Sequence, residues 1–145
     1  MEEPQDCVFC QIVARKLPAS IVYEDDLVMA FMDIQPVNRG HTLVVPKTHA
    51  DGINDLDPDV GAELFQIAMK LSGAVRRAVS CDGVNLYVAD GVVAGQDVFH
   101  FHLHIIPRHK GDGFGLRLPT GYSDLPERDD LDAVAAAIKK ASVSD

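Results

Sequence analysis

His100-Phe101-His102-Leu103-His104-Ile105-Ile106-Pro107 carries three of the chain's six histidines at alternating positions. The residues that alternate with them, Phe99, Phe101, Leu103 and Ile105, are large and apolar. A strand sends successive side chains to opposite faces. Read as a strand, this run buries phenylalanine and leucine on one face and aligns three imidazoles on the other, about 6–7 Å apart at ~3.3 Å per residue. Read as a helix, it scatters the same residues, so the alternation favours the strand. A lone strand histidine is ordinarily a hydrogen-bonded core residue. Three in register each need a polar partner, which points to a site.

Outward from this run, the chain reads as strands, one dominant helix, then strands again. Residues 7–13 form a short apolar turn of helix. Residues 21–24 and 27–32 read as antiparallel strands joined at Asp25-Asp26. Asn38-Arg39-Gly40 turns the chain into a strand over 41–45, which Pro46 closes. Asp57-Pro58 opens a long helix, an acidic N-cap followed by proline at the first helical position. Leu64, Ile67, Ala68, Leu71, Ala74, Val75 and Ala78 recur at helical spacing, and Cys81-Asp82-Gly83 ends the helix. Residues 84–88 and 98–106 read as a hairpin pair across the loop 89–97, and a short helix over about 131–141 ends the chain. This order predicts an α+β fold: an antiparallel sheet covered by helices, in a single domain spanning 1–145.

Composition narrows the function. The chain has 145 residues, 47% of them hydrophobic, and a net charge of −9; its pI is about 4.9. So acidic a protein is not a general nucleic-acid binder, which needs a basic surface. No apolar run approaches the ~20 residues of a membrane helix, so no membrane partner is expected. Met1-Glu2-Glu3-Pro4 lacks the basic and apolar regions of a signal peptide, and three cysteines do not make a disulfide framework. The expected compartment is the cytoplasm.

Gly95-Gln96-Asp97-Val98-Phe99-His100-Phe101-His102-Leu103-His104-Ile105-Ile106-Pro107-Arg108 resembles the signature of the histidine triad (HIT) family of nucleotide hydrolases and transferases. The likeness extends to Cys7-Val8-Phe9-Cys10, Tyr23-Glu24-Asp25-Asp26, Phe31-Met32-Asp33-Ile34, Gly40-His41-Thr42-Leu43-Val44-Val45-Pro46-Lys47-Thr48-His49 and Gly111-Asp112-Gly113-Phe114. It is closest to small homodimeric purine-nucleoside phosphoramidases and related bacterial proteins. The resemblance implies hydrolysis or transfer of a nucleoside monophosphate group through a covalent nucleotidyl-histidine. The alternatives are a dinucleoside polyphosphate hydrolase and a non-catalytic, zinc-stapled protein that binds a purine nucleotide.

Neutral imidazole is a good nucleophile near pH 7. His102 is flanked by imidazoles on both sides, and the resemblance makes it the nucleophile. For Nε2 to attack, Nδ1 must donate its proton to a fixed acceptor, and a backbone carbonyl would serve. His104 is expected to donate to phosphate oxygens, and by resemblance His41 completes the site. Gln96 is expected to offer its amide to phosphate, while Gly91 and Gly95 let the loop backbone approach an anion. No catalytic metal is required. The nucleoside half rests on the resemblance. Asp33 suits a ribose diol, though it also suits a turn before Pro36. Phe9, Ile12, Phe31 and Ile34 form an apolar slot for a purine, though alone they read as core. By the same resemblance Asp97 takes a position that holds serine in some phosphoramidases, where a carboxylate either repels phosphate or takes a proton from an amine. Ala89 stands where many relatives have asparagine, and Phe114 or Tyr122 would take the part of a C-terminal aromatic.

Cys7 and Cys10 have the C-x2-C spacing of a metal pair, although buried thiols and a redox pair fit it too. By resemblance, His49 and His100 complete a structural zinc site, one ion per chain. Finally, Phe65 and Met69 lie off the sheet-facing stripe of the long helix. That strip is expected to meet a second copy, and the resemblance implies that the sheet continues across the homodimer.

Overall fold

The computed structural model describes residues 4–143; Met1 to Glu3, the acidic start that bears on a signal peptide, lies outside them. The described residues form two compact units, divided between Phe114 and Gly115. The first contains α1 (Val8–Val13), β1 (Ile21–Glu24), β2 (Val28–Met32), β3 (Thr42–Pro46), α2 (Pro58–Val79), β4 (Gly83–Tyr87) and β5 (Leu103–Arg108). Its five strands form one antiparallel sheet in the order β1-β2-β3-β5-β4. The second unit holds α3 (Arg128–Ser142), a few residues longer than the sequence suggested. No described helix is long and apolar enough to cross a membrane.

Alternation along the strands divides the core in two. Val28, Ala30, Val44, Phe101, Leu103 and Ile105 pack with Leu64, Ile67 and Ala68 of α2. Met29, Phe31, Leu43 and Val45 point the other way, onto Cys7, Phe9 and Ile12 around α1. The histidine-bearing face is therefore the α1 face, and Leu43 pairs with His104 across the β3–β5 ladder.

Asp57 caps α2 as expected, its Oδ1 accepting from the Asp59 and Val60 amides. The far end differs: Ser80, at φ 53° in the left-handed region, is the cap, before Cys81 is reached. β3 also runs one residue later than read, with Pro46 inside it.

The larger difference is in β5. It begins at Leu103, and residues 98–102 do not join the ladder. Polar groups that would extend the pairing are used by histidine rings. His100 Nε2 donates to the Pro46 carbonyl at 2.8 Å, and His102 Nδ1 donates to the His100 carbonyl at 2.7 Å. Pro46 also has no N–H to offer. The inside–outside alternation survives without the ladder, since Phe101 remains in the α2-side core. The rings lean together more than strand spacing implied: the His102 and His104 centroids are 4.8 Å apart, against the expected 6–7 Å.

Candidate active site and metal centre

Below the sheet, α1, the ends of β2 and β3 and the segment 97–104 enclose a cleft of about 400 Å³. Phe9, Ile12, Phe31 and Leu43 form its apolar wall, while Asp33, Asp97, His102 and His104 supply polar groups. Leu17, Pro18, Ala19 and Val98 also line it; nothing in their residue types distinguished them from connecting loop. Ile34 lines the rim and is almost fully exposed. Among the described lining residues there are two carboxylates and no lysine or arginine.

Hydrogen bonding fixes the histidine tautomers. His102 Nδ1 carries the proton donated to the His100 carbonyl, so in the neutral ring the lone pair sits on Nε2. The Val37 amide donates to His41 Nδ1 at 3.0 Å, so the proton of neutral His41 sits on Nε2. That Nε2–H donates to His104 Nδ1 at 2.9 Å, which leaves His104 Nε2 as a second donor. Burial favours the neutral form of both donors. It lowers the His41 pKa against the pull of the Asp33 carboxylate, with His102 adding to the lowering. It brings His104 down to about 4, assisted by His102 and His41 and opposed by Asp33 and Asp97. Asp33, His41 and His104 lie close enough to suggest a cation cluster. The Val37 amide opposes that, because a metal on His41 Nε2 would move its proton to Nδ1 and against another donor.

Asp33 Oδ1 accepts from the Gln35 amide, which makes it a turn residue, and its Oδ2 stands 3.5 Å from His41 Nε2. Asp97 is exposed, with Oδ1 3.7 Å from His102 Nε2. Gln96 departs from expectation. Its Nε2 donates to the Asp51 and Val98 carbonyls and its Oε1 accepts from the Gly91 amide, so no donor remains for a phosphate. The buried carboxamide braces the loop that carries Asp97. The Gly91 and Gly95 amides are likewise turned inward, to Gln96 Oε1 and the Val92 carbonyl, rather than towards an anion.

A second cluster lies behind the first. The ligating atoms of Cys7, Cys10, His49 and His100 all fall within 4.8 Å of one another. His100 Nδ1 is 3.4 Å from Cys7 Sγ and 3.5 Å from Cys10 Sγ, and His49 Nδ1 is 3.3 Å from Cys10 Sγ. A tetrahedral ion with bonds of about 2.3 Å to sulfur and about 2.0–2.1 Å to nitrogen separates these atoms by about 3.5 Å. The outer nitrogens are already committed. His100 Nε2 donates to the Pro46 carbonyl and His49 Nε2 to Asp51 Oδ1 at 2.7 Å, turning both Nδ1 lone pairs inward. Asp51 was missed in the sequence, although its place two residues after His49 is the available signal. The donor set fits a structural zinc ion, with no position left open for water.

Comparison with known proteins gives a consistent set of likenesses. Residues 14–111 match the HIT domain family model. A Bacillus subtilis protein described as protein hit is 40% identical over 141 residues, covering 97% of both chains. An Arabidopsis thaliana adenylylsulfatase, HINT3, is 39% identical over 107 residues, or 74% of this chain and 54% of that protein. Among solved structures, a Bacillus anthracis HIT family protein superposes with TM-score 0.86 at 38% identity, covering 94% and 96% of the two chains. A zinc-bound histidine triad protein from Mycobacterium smegmatis gives 0.74 at 37% identity, over 96% and 99%. A histidine triad nucleotide-binding protein from Candida albicans gives 0.84 at 25% identity, over 94% and 97%.

Proposed function

Because this chain belongs to the HIT domain family, we propose that it is a nucleotide hydrolase or nucleotidyl transferase acting on purine nucleoside monophosphate derivatives, with His102 as nucleophile. One observation carries the reading: a buried imidazole in the cleft, its Nδ1 proton tied to the His100 carbonyl so that Nε2 is the nitrogen left for attack in the neutral ring. Nε2 attacks phosphorus, the bond to the leaving group breaks, and the leaving group departs with the electron pair and takes up a proton from solvent. The His100 carbonyl steadies the positive charge left on the ring, and His104 Nε2–H bonds a phosphoryl oxygen. Water then attacks phosphorus and releases a proton to solvent, the P–N bond breaks with its electron pair returning to Nε2, and the neutral imidazole is restored. Phe9, Ile12, Phe31 and Ile34 hold the base, and Asp33 the ribose hydroxyls. Gln96 positions the loop.

The leaving group is an amine in this reading. A polyphosphate or sulfate leaving group gains charge as it departs and would meet the Asp97 carboxylate, with no lysine or arginine among the described lining residues. HINT3's description as an adenylylsulfatase keeps the anionic alternative in view. A structural zinc ion held by Cys7, Cys10, His49 and His100 belongs to the same reading. It is supported by the donor geometry above and by the zinc-bound relative.

The test is turnover of a panel containing an AMP phosphoramidate, AMP-lysine, diadenosine tetraphosphate and adenosine phosphosulfate. The amine substrates should turn over fastest. His102→Ala should lower that turnover on the order of 10⁴–10⁶-fold while AMP binding stays within a few-fold. An acid-labile, base-stable nucleotidyl label should appear on the wild type and not on the variant. AMP binding without turnover of any panel member would favour the non-catalytic alternative.

A further inference from the structure

We infer that Phe9 and the backbone of His100 couple the Cys7–Cys10–His49–His100 centre to the nucleotide cleft, so that metal and nucleoside monophosphate each tighten the binding of the other. The inference rests on the nucleotide reading above and adds a property of this chain's own residues.

Two physical links join the sites. The first is His100. Its ring faces the two sulfurs while its carbonyl accepts the Nδ1 proton of His102. Any shift of the residue moves both a candidate ligand and the group that sets the nucleophile's tautomer. The second is Phe9, which sits between Cys7 and Cys10 in α1. Its ring stands edge-on to His100 at 5.8 Å, His102 at 5.2 Å and Phe31 at 5.4 Å, and it lines the cleft.

α1 needs external support. A six-residue helix is far shorter than the ~12–15 residues at which isolated helices become marginal. Cys7 caps it and Cys10 lies in its first turn, so both thiols belong to the element that carries Phe9. When a metal gathers the thiols against His49 and His100, α1 is fixed and Phe9 is set as both a wall of the base slot and a stop beside His102. Without the metal, nucleotide binding itself must order α1, which costs affinity. Linkage requires the same factor in reverse: bound nucleotide tightens the metal. Phe9 is thus a positioning residue with two partners.

The test measures both arms of the cycle. AMP affinity is determined by calorimetry on zinc-loaded and zinc-extracted protein. Zinc affinity is determined by competition with a chromophoric chelator, with and without saturating AMP. Extraction should weaken AMP binding at least about fivefold, and AMP should strengthen zinc binding by the same factor. In Phe9→Leu, which keeps an apolar filling, both sites should still bind and both factors should shrink towards one. If the zinc-extracted protein does not fold, the competition arm still decides the matter on loaded protein. Zinc and AMP binding with no mutual effect would overturn the coupling and leave the functional reading intact. Absence of zinc uptake, or of AMP binding, would overturn the coupling together with the corresponding part of that reading.

Discussion

At the scale of residues, the site is a chain of proton positions. The amides and carbonyls of Val37, His100 and Pro46 decide which nitrogen of His41, His102 and His100 carries hydrogen. His104 follows from His41. Its pKa falls from the ordinary 6.5 to about 4, chiefly through burial. The unfolded chain therefore binds more protons than the folded one between these values. This histidine's penalty on stability is absent above pH 6.5 and grows as the pH falls towards 4. Melting temperatures measured from pH 7.5 to 5 at constant zinc should fall, and in His104→Asn they should fall less; an unchanged slope would remove His104 from that account. Asp97 calls for a different test. It is exposed and screened, so its effect on a departing anion is small. Asp97→Asn should raise kcat/KM for adenosine phosphosulfate about three- to fivefold at low salt, with much less change for a neutral amine leaving group. Equal changes for both would show that the carboxylate does not sense leaving-group charge. The candidate nucleophile and its need for a backbone acceptor were readable from alternation and imidazole chemistry. The commitment of Gln96 was not, because its partner Asp51 lies 45 residues away in sequence.

At the scale of elements, legibility followed the locality of the signal. Helix α2 was readable at its start because Asp57 and Pro58 act within one turn, and less so at its end because a serine holds the left-handed cap usually filled by glycine. The full length of β5 was hidden for a related reason. Alternation reports which face a residue takes, and the ladder was stopped by ring-to-carbonyl bonds from His100 and His102. The turn before His41 offers a direct test. Gly40 has φ +100°, and a Cβ there would lie 2.9 Å from Val79 Cγ1 and 3.2 Å from Pro107. Gly40→Ala should destabilise the protein by about 2–3 kcal/mol, combining backbone strain with the clash. Gly83, in β4, has open space around its Cβ position, so Gly83→Ala should be neutral or stabilising by up to about 1 kcal/mol. Urea melts of the two variants separate conformational demand from mere glycine content; equal effects would contradict the assignment of strain to Gly40.

At the scale of the whole molecule, the question is what meets the outer face of α2 and the β4 edge of the sheet. Leu64, Ile67 and Ala68 take the sheet-facing stripe, whereas Phe65 is 49% and Met69 60% exposed. Within the same unit, β4 is an edge strand, and Leu86 and Tyr87 on it are each 39% exposed. An apolar helix strip together with an unpaired strand edge is a surface that another chain can complete. A two-fold axis lets one copy's α2 and β4 serve the other's and extends five strands into a longer sheet. On this ground a homodimer is expected, with an interface of about 1,200–2,000 Å². Light scattering at micromolar concentration should give twice the 15.7 kDa of one chain. Phe65→Glu or Met69→Lys should shift the mass towards one chain, because each places a charge in the apolar centre of the contact while leaving the sheet-facing stripe untouched. If the wild type stays near 15.7 kDa across that range, the strip is not a self-interface. If it is dimeric but indifferent to charge at both positions, the two-fold contact lies elsewhere, and the β4 edge must be tested apart from α2.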